Sequence, residues 1–203
     1  MANYFITGIG TGIGKTLVCA ILTEKLKADY WKPIQSGDLD QSDSLTIKKL
    51  ISNNKTIIHP EKYRLSNPFS PHLSAKLDGV KIDLDEIVIP DTDNNLIIEG
   101  AGGLMVPLNE EELIIDLIKK LNVEVILVSQ NYLGSINHTL LSINLLNQYG
   151  IHIKGIIFNG DENAESQRFI LQYSNINYLG FIPVIEQINP SNIKKAGNSL
   201  ILR

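Results

Sequence analysis

"FITGIGTGIGKT", residues 5–16, runs from an apolar stretch through four glycines, Gly8, Gly10, Gly12 and Gly14, into a lysine–threonine pair. Backbone N–H groups in a glycine-rich loop can converge on phosphate oxygens because no Cβ blocks the approach. The helix that follows adds unpaired donors and a positive dipole end. In that setting Lys15 neutralises terminal phosphates and the Thr16 hydroxyl ligates Mg²⁺. The common nucleotide loop has four residues between its first and last glycine, whereas five separate Gly8 from Gly14. Either Gly8 is not the equivalent glycine or the loop is a variant.

Outward from this loop the chain alternates short apolar runs with helical patterns. Strands are expected at Tyr4–Thr7, Tyr30–Ile34, Leu96–Ile98, Val123–Val128, Ile153–Phe158 and Tyr178–Ile182. Helices are expected at Lys15–Lys27, Asp43–Ser52, Glu111–Lys120, Ser135–Tyr149 and Asn163–Tyr173. Strands apolar on both faces with helices between them predict an α/β fold, a doubly wound parallel sheet of the phosphate-loop type. The stretch Ser66–Pro90 breaks the rhythm: "SNPFSPHLSA" turns tightly around two prolines before short helical pieces, and the whole reads as an excursion from the sheet, too short to be a separate domain.

At 203 residues the length favours one domain over residues 1–203. A net charge of −4 carries no basic excess to attract nucleic acid or an anionic membrane, and no apolar run approaches the ~20 residues that span a bilayer. A cytoplasmic location is the expectation. Cys19, the only cysteine, reads as a small apolar side chain of the first helix. His59, His72 and His152 show no metal-ligand spacing, and His138 reads as a helix-surface residue.

In an open parallel sheet, ligands bind beyond the carboxyl ends of the strands. "IIEGAGG", residues 97–103, places Glu99 at such an end, followed by small residues, where its carboxylate can hold Mg²⁺ directly or through water. Asp43 in "QSDSL" offers a second oxygen; its alternative reading is a first-turn acid that complements the helix dipole. "YWKPIQSG", residues 30–37, brings Lys32 and Ser36 to another strand end, with Lys32 a candidate anion clamp.

Taken with "SPHLSA", "IIEGAGGLMVPL", "LGSINHTLL", "GIIFNG" and "GFIP", these stretches resemble the dethiobiotin synthetase family over nearly the whole chain. That family's phosphate loop has the extra residue. Deviant phosphate-loop ATPases of the partitioning type often carry a signature lysine where this chain has Gly10. Well-known synthetases have an acidic residue where this chain has Gly12, and a role for that acid does not carry over.

The resemblance implies an ATP- and Mg²⁺-dependent enzyme that joins CO₂ to 7,8-diaminononanoate and closes a ureido ring. It implies that Gly12, Ile13, Gly14, Lys15, Thr16 and Leu17 cradle the phosphates. Thr16, Asp43 and Glu99 hold the metal, with Gly100, Ala101 and Gly102 beside them. Asn159, Gly160, Ile182, Pro183 and Val184 surround the adenine. Lys32, Lys15, Thr11 and Ser36 serve the chemistry, and Thr11, Lys32, Ser36 and Pro71 contact the diamine. Gly134, Ser135, Ile136 and Asn137 begin a helix suited to the substrate carboxylate, supplied by the second subunit of a homodimer. The alternative is a regulatory or partitioning-type dimeric ATPase of the same superfamily.

Overall fold

The apolar run before the glycine loop becomes the central strand of a seven-stranded sheet. A computed structural model describes residues 1–202. The chain runs β1 (Asn3–Gly8), α1 (Lys15–Leu26), β2 (Asp29–Trp31), β3 (Ile34–Ser36), α2 (Asp43–Leu50), β4 (Ile58–His59), β5 (Tyr63–Leu65) and α3 (Pro71–Leu77). It continues through β6 (Leu96–Gly103), α4 (Ile114–Leu121), β7 (Glu124–Gln130), α5 (Ser135–Gln148), β8 (Ile153–Gly160), α6 (Ala164–Ser174), β9 (Tyr178–Pro183) and α7 (Pro190–Ala196).

The main sheet has the order β4-β2-β6-β1-β7-β8-β9, and every neighbouring pair in it is parallel. The chain leaves β1 toward β2 on one side; β6 later returns beside β1, and β7 opens the other side. This reversal of winding leaves a crevice at the carboxyl ends of β1, β2 and β6. Alternate strand residues feed opposite cores. Ile6, Tyr30, Ile97 and Ile126 pack under α1, α2 and α7. Phe5, Trp31, Ile98 and Val125 meet α4 and α5 on the other face, and Leu127 and Phe158 meet α5 and α6 there. Burial on both faces is what makes these strands continuously apolar. No helix of the described residues is long and apolar enough to cross a membrane.

Three expectations need correction. The run Tyr30–Ile34 is not one strand: it breaks at Lys32–Pro33 into β2 and β3, and β3 pairs with β5 in a separate two-stranded sheet. Proline lacks the N–H that would continue the ladder. The strand at Leu96–Ile98 extends to Gly103, so Glu99 lies within β6 rather than at its end. Glycines keep it going because they let β6 lie against neighbouring groups: a Cβ at Gly100 would sit 2.7 Å from the Phe5 ring. The third helix pattern starts late, at Ile114, because the Asn109 side chain accepts from the N–H groups of Glu111 and Glu112 and forms a turn first. The elements α7, β4 and β5 carry too little pattern of their own and were not expected.

Candidate phosphate and metal site

The glycine loop joins β1 to α1 with Gly12 at φ 74° and Gly14 at φ 87°, the left-handed region that glycine enters without penalty. Gly14 caps α1 with no side-chain hydrogen bond and no acidic residue lies in the first turn. The first intrahelical bond runs from Val18 N–H to the Gly14 carbonyl. The N–H groups of Lys15, Thr16 and Leu17 are therefore left for an anion at the dipole's positive end. No heavy atom lies within 4 Å of where a Cβ on Gly12 would sit.

Lys15 folds back across the loop, its Nζ donating to the Gly10 carbonyl at 2.9 Å. Burial draws its ammonium below the ordinary lysine range, a shift that the charge of Glu99 partly opposes. Behind the loop, Asn159 at the end of β8 donates to the Ile13 carbonyl at 2.9 Å. That contact commits one amide hydrogen of Asn159 to bracing the loop.

Across the crevice two carboxylates meet one hydroxyl and one ammonium. Thr16 Oγ1 lies 2.9 Å from Asp43 Oδ1 and 2.8 Å from Glu99 Oε1. A hydroxyl has one proton, so it donates to only one of them at a time. Lys32 Nζ pairs with Asp43 Oδ2 and lies 3.2 Å from Glu99 Oε1. Lys32 is 6% exposed and Glu99 2%. Burial would lower the Lys32 pKa, but the charges of Glu99 and Asp43 outweigh it and the net shift is upward. The ammonium is the counter-ion of an otherwise uncompensated acidic pair.

Thr16, Asp43 and Glu99 offer hard oxygen donors only. Mg²⁺ is commonly held by one or two carboxylates, with phosphates and waters completing the octahedron. The donor set therefore fits that ion. Among the described residues no group of three or more His, Cys, Asp or Glu could hold a metal unaided.

Lys32, Ser36, Thr11 and Asp43 share a cavity of about 490 Å³, also lined by Pro71, Ala101 and Gly102. Phe69, Pro68 and Val106 make part of its wall apolar. The Ser36 hydroxyl is buried with no hydrogen-bond partner, so an acceptor or donor entering the cavity would meet an unsatisfied group. Gly100 is the residue after Glu99 on β6. Gly160, Ile182, Pro183 and Val184 lie at the ends of β8 and β9 and do not line that cavity, with Pro183 and Val184 exposed.

Gly134, Ser135, Ile136 and Asn137 do not line that cavity. They open α5, whose Gly134 cap makes no side-chain hydrogen bond. The Ser135 N–H is taken by the Tyr132 carbonyl. His138 is exposed on α5, in contact with Tyr132, and Cys19 is fully buried in α1.

Two contacts were not anticipated from the sequence. Tyr30 donates to Glu99 Oε2 at 2.8 Å. Gln35 accepts from the Asp43 N–H at 3.3 Å and donates to the Gly37 carbonyl at 2.9 Å, tying the start of α2 to the end of β3. Strand parity places Tyr30 on the Glu99 face, but only the register Tyr30–Ile97 brings them together.

Comparison with known proteins agrees with this architecture. The profile of a family described as an AAA domain matches residues 2–192. An ATP-dependent dethiobiotin synthetase BioD of Christiangramia forsetii is 54% identical over 89% of this chain and 86% of its own. Its namesake in Cytophaga hutchinsonii is 52% identical over 93% and 91%. Among solved structures, the cell division ATPase MinD of Pyrococcus furiosus superposes with a TM-score of 0.63 at 15% identity, covering 98% of each chain. A ParA family ATPase from Chlorobium tepidum gives 0.56 at 14% identity, over 98% of this chain and 89% of that one. These last two share the fold, whereas the sequence relatives share half their residues along nearly the full length. The chain belongs to the ATP-dependent dethiobiotin synthetase family, a family of ligases.

Proposed function

We propose that this protein, as one domain, uses MgATP to carboxylate 7,8-diaminononanoate with CO₂ and close it to dethiobiotin, releasing ADP and phosphate. Beyond family membership, one observation carries the reading: a cavity beside the phosphate loop into which Lys32, Thr11 and the unpartnered Ser36 all open. A nucleotide hydrolase needs a water there; this cavity has room for a second, larger reactant.

One neutral amine attacks CO₂ and loses a proton, giving a carbamate. A carbamate oxygen displaces ADP from the γ-phosphorus. The second amine attacks the carbonyl carbon, expels phosphate and loses its proton as the ring closes. Negative charge gathers on carbamate and phosphoryl oxygens throughout, so fixed donors and cations supply most of the stabilisation. The free N–H groups at the start of α1 hold the phosphates, and Lys15 reaches their terminal oxygens. Lys32 is the cation nearest the cavity and is assigned to the carbamate and the transferring phosphoryl group, with Thr11 and Ser36 orienting the carbamate. Thr16, Asp43 and Glu99 would hold Mg²⁺, which would supply charge neutralisation at the phosphates. Asn159, Gly160 and the Ile182–Val184 backbone bound the adenine.

The substrate carboxylate, a carbon chain away, is assigned to the α5 start at Gly134–Asn137 of a second copy. Supporting this, these residues lie outside the cavity in their own chain, and exposed apolar residues Leu133, Met105 and Leu141 occur on and near α5. Neither a membrane nor a nucleic acid enters this reading.

The test supplies the diamine, bicarbonate and MgATP and looks for dethiobiotin by mass spectrometry, with product expected in step with ADP. Phosphate release indifferent to the diamine would instead indicate a regulatory ATPase.

A further inference from the structure

The geometry points to Tyr30 as a positioning residue for Glu99: its hydroxyl holds one carboxylate oxygen so that the other faces Thr16 and a divalent cation. The inference rests on the reading of Glu99 as a metal ligand and adds how that ligand is aimed. Tyr30 and Ile97 are register partners in adjacent parallel strands. Glu99 is two residues further along β6, hence on the same face as Ile97. The aromatic ring bridges that offset and ends with its hydroxyl 2.8 Å from Glu99 Oε2.

The two oxygens of Glu99 are thereby given different duties. Oε1 faces Thr16 at 2.8 Å and Lys32 at 3.2 Å, on the crevice side. Oε2 faces Tyr30. Both Tyr30 and Glu99 are out of reach of bulk water, at 0% and 2% exposure. The phenol on Oε2, with Thr16 and Lys32 on Oε1, fixes the rotation of the carboxylate plane. A phenol carries one proton to donate and an ionised carboxylate only accepts, so the contact has one direction. Without the hydroxyl, Oε2 loses this donor, and the carboxylate is free to turn both oxygens toward Lys32 and Thr16. Full burial also means that Tyr30 touches no substrate; it acts only through Glu99.

Tyr30→Phe removes one oxygen and adds no volume. Its effect is read as Mn²⁺ affinity of the ADP-bound protein, followed by electron paramagnetic resonance, with ADP affinity in EDTA as the control. Outer partners of metal ligands typically contribute ten- to a hundredfold to affinity, so Tyr30→Phe should weaken Mn²⁺ binding about tenfold while metal-free ADP binding stays within about twofold. Paired with Glu99→Gln, the two changes should be non-additive, with Tyr30→Phe adding less than about twofold once the carboxylate is gone.

Glu99→Gln without effect on Mn²⁺ would overturn both the metal assignment and this inference. Glu99→Gln weakening Mn²⁺ while Tyr30→Phe does not, or equal penalties from Tyr30→Phe in both backgrounds, would overturn the inference alone. Should Tyr30→Phe not fold, 3-fluorotyrosine placed at position 30 reads the same contact. Its ¹⁹F resonance should move when Mg²⁺ is added to the ADP-bound protein, and a fixed resonance overturns the proposal.

Discussion

Two lysines converge on the crevice from opposite surroundings. Lys15 meets only a backbone carbonyl and its charge is disfavoured by burial, whereas Lys32 sits on two carboxylates that hold the proton in place. Their loss should therefore differ. On the proposed reading Lys15 contacts ATP before and during transfer, so Lys15→Ala should lower nucleotide affinity and turnover together. Lys32→Ala should chiefly lower turnover; because it leaves Asp43 and Glu99 without their counter-ion until Mg²⁺ binds, MgATP affinity should not fall. Removing one donor aimed at developing negative charge commonly costs ~3 kcal/mol, about a hundredfold in rate. Calorimetry of MgATP binding beside steady-state rates separates the two; Lys32→Ala turnover within about threefold of wild type would contradict the carbamate assignment. Much at this scale was legible in the sequence. Thr16, Asp43 and Glu99 do meet, because the strand–loop–helix grammar fixes Thr16, and a carboxylate inside an apolar strand needs a partner. Tyr30 and Gln35 were not legible: a tyrosine and a glutamine among apolar residues look like filler until strand register says what they face.

At the scale of elements, local pattern identified most strands and helices and missed the places where distant pairing overrides it. Glycines are poor strand formers, yet β6 runs on to Gly103 because β1 lies alongside, with Gly8 paired to Gly103 after a register shift where Gly102 takes φ 71°. Pro33 ends β2 early and sends β3 out of the sheet, which is why Lys32 faces the crevice. The two-residue β4 exists only through its pairing with β2. The packing of α1 against α2 depends on a different tie. Glu24 accepts hydrogen bonds from the backbone and side chains of Ser52 and Asn53, at 2.6–3.1 Å, just past α2. Burial works to raise the Glu24 pKa, and these hydrogen bonds outweigh it, so the folded value lies below the ordinary 4.5. A depressed folded pKa gives stability that is fully present above about 4.5 and is lost as pH falls through the folded value. Glu24→Gln should thus destabilise at pH 7 by about 2 kcal/mol, the scale of hydrogen bonds to a charged group. Urea denaturation should show that gap beginning to close as pH falls below about 4.5, where the unfolded wild-type chain starts to bind the proton. A gap of constant size down to pH 3 would locate the effect in packing rather than charge.

For the whole molecule, the unresolved demand is distance. On the proposed reading the amines reach the phosphate loop and Lys32 while the substrate's carboxylate takes an anion site several carbons away, and the start of α5 in the same chain lies outside the cavity. An uncapped helix start with an Asn side chain beside it is a good carboxylate site. If a second copy supplies it, each site needs two chains, and variants with different defects can repair one another. Lys32→Ala disables the reacting end; Asn137→Asp keeps the side chain's size but sets a negative charge against the substrate carboxylate. Each homodimer should be nearly inactive. After mixing and subunit exchange, a mixed dimer has one site with both defects and one with neither. Half the dimers are then mixed and half their sites intact, so activity should recover to about a quarter of wild type if the sites act independently. Exchange can be followed by native mass spectrometry with differently tagged chains. Demonstrated exchange with activity still at the parental background would place both halves of the site in one chain and exclude the shared arrangement.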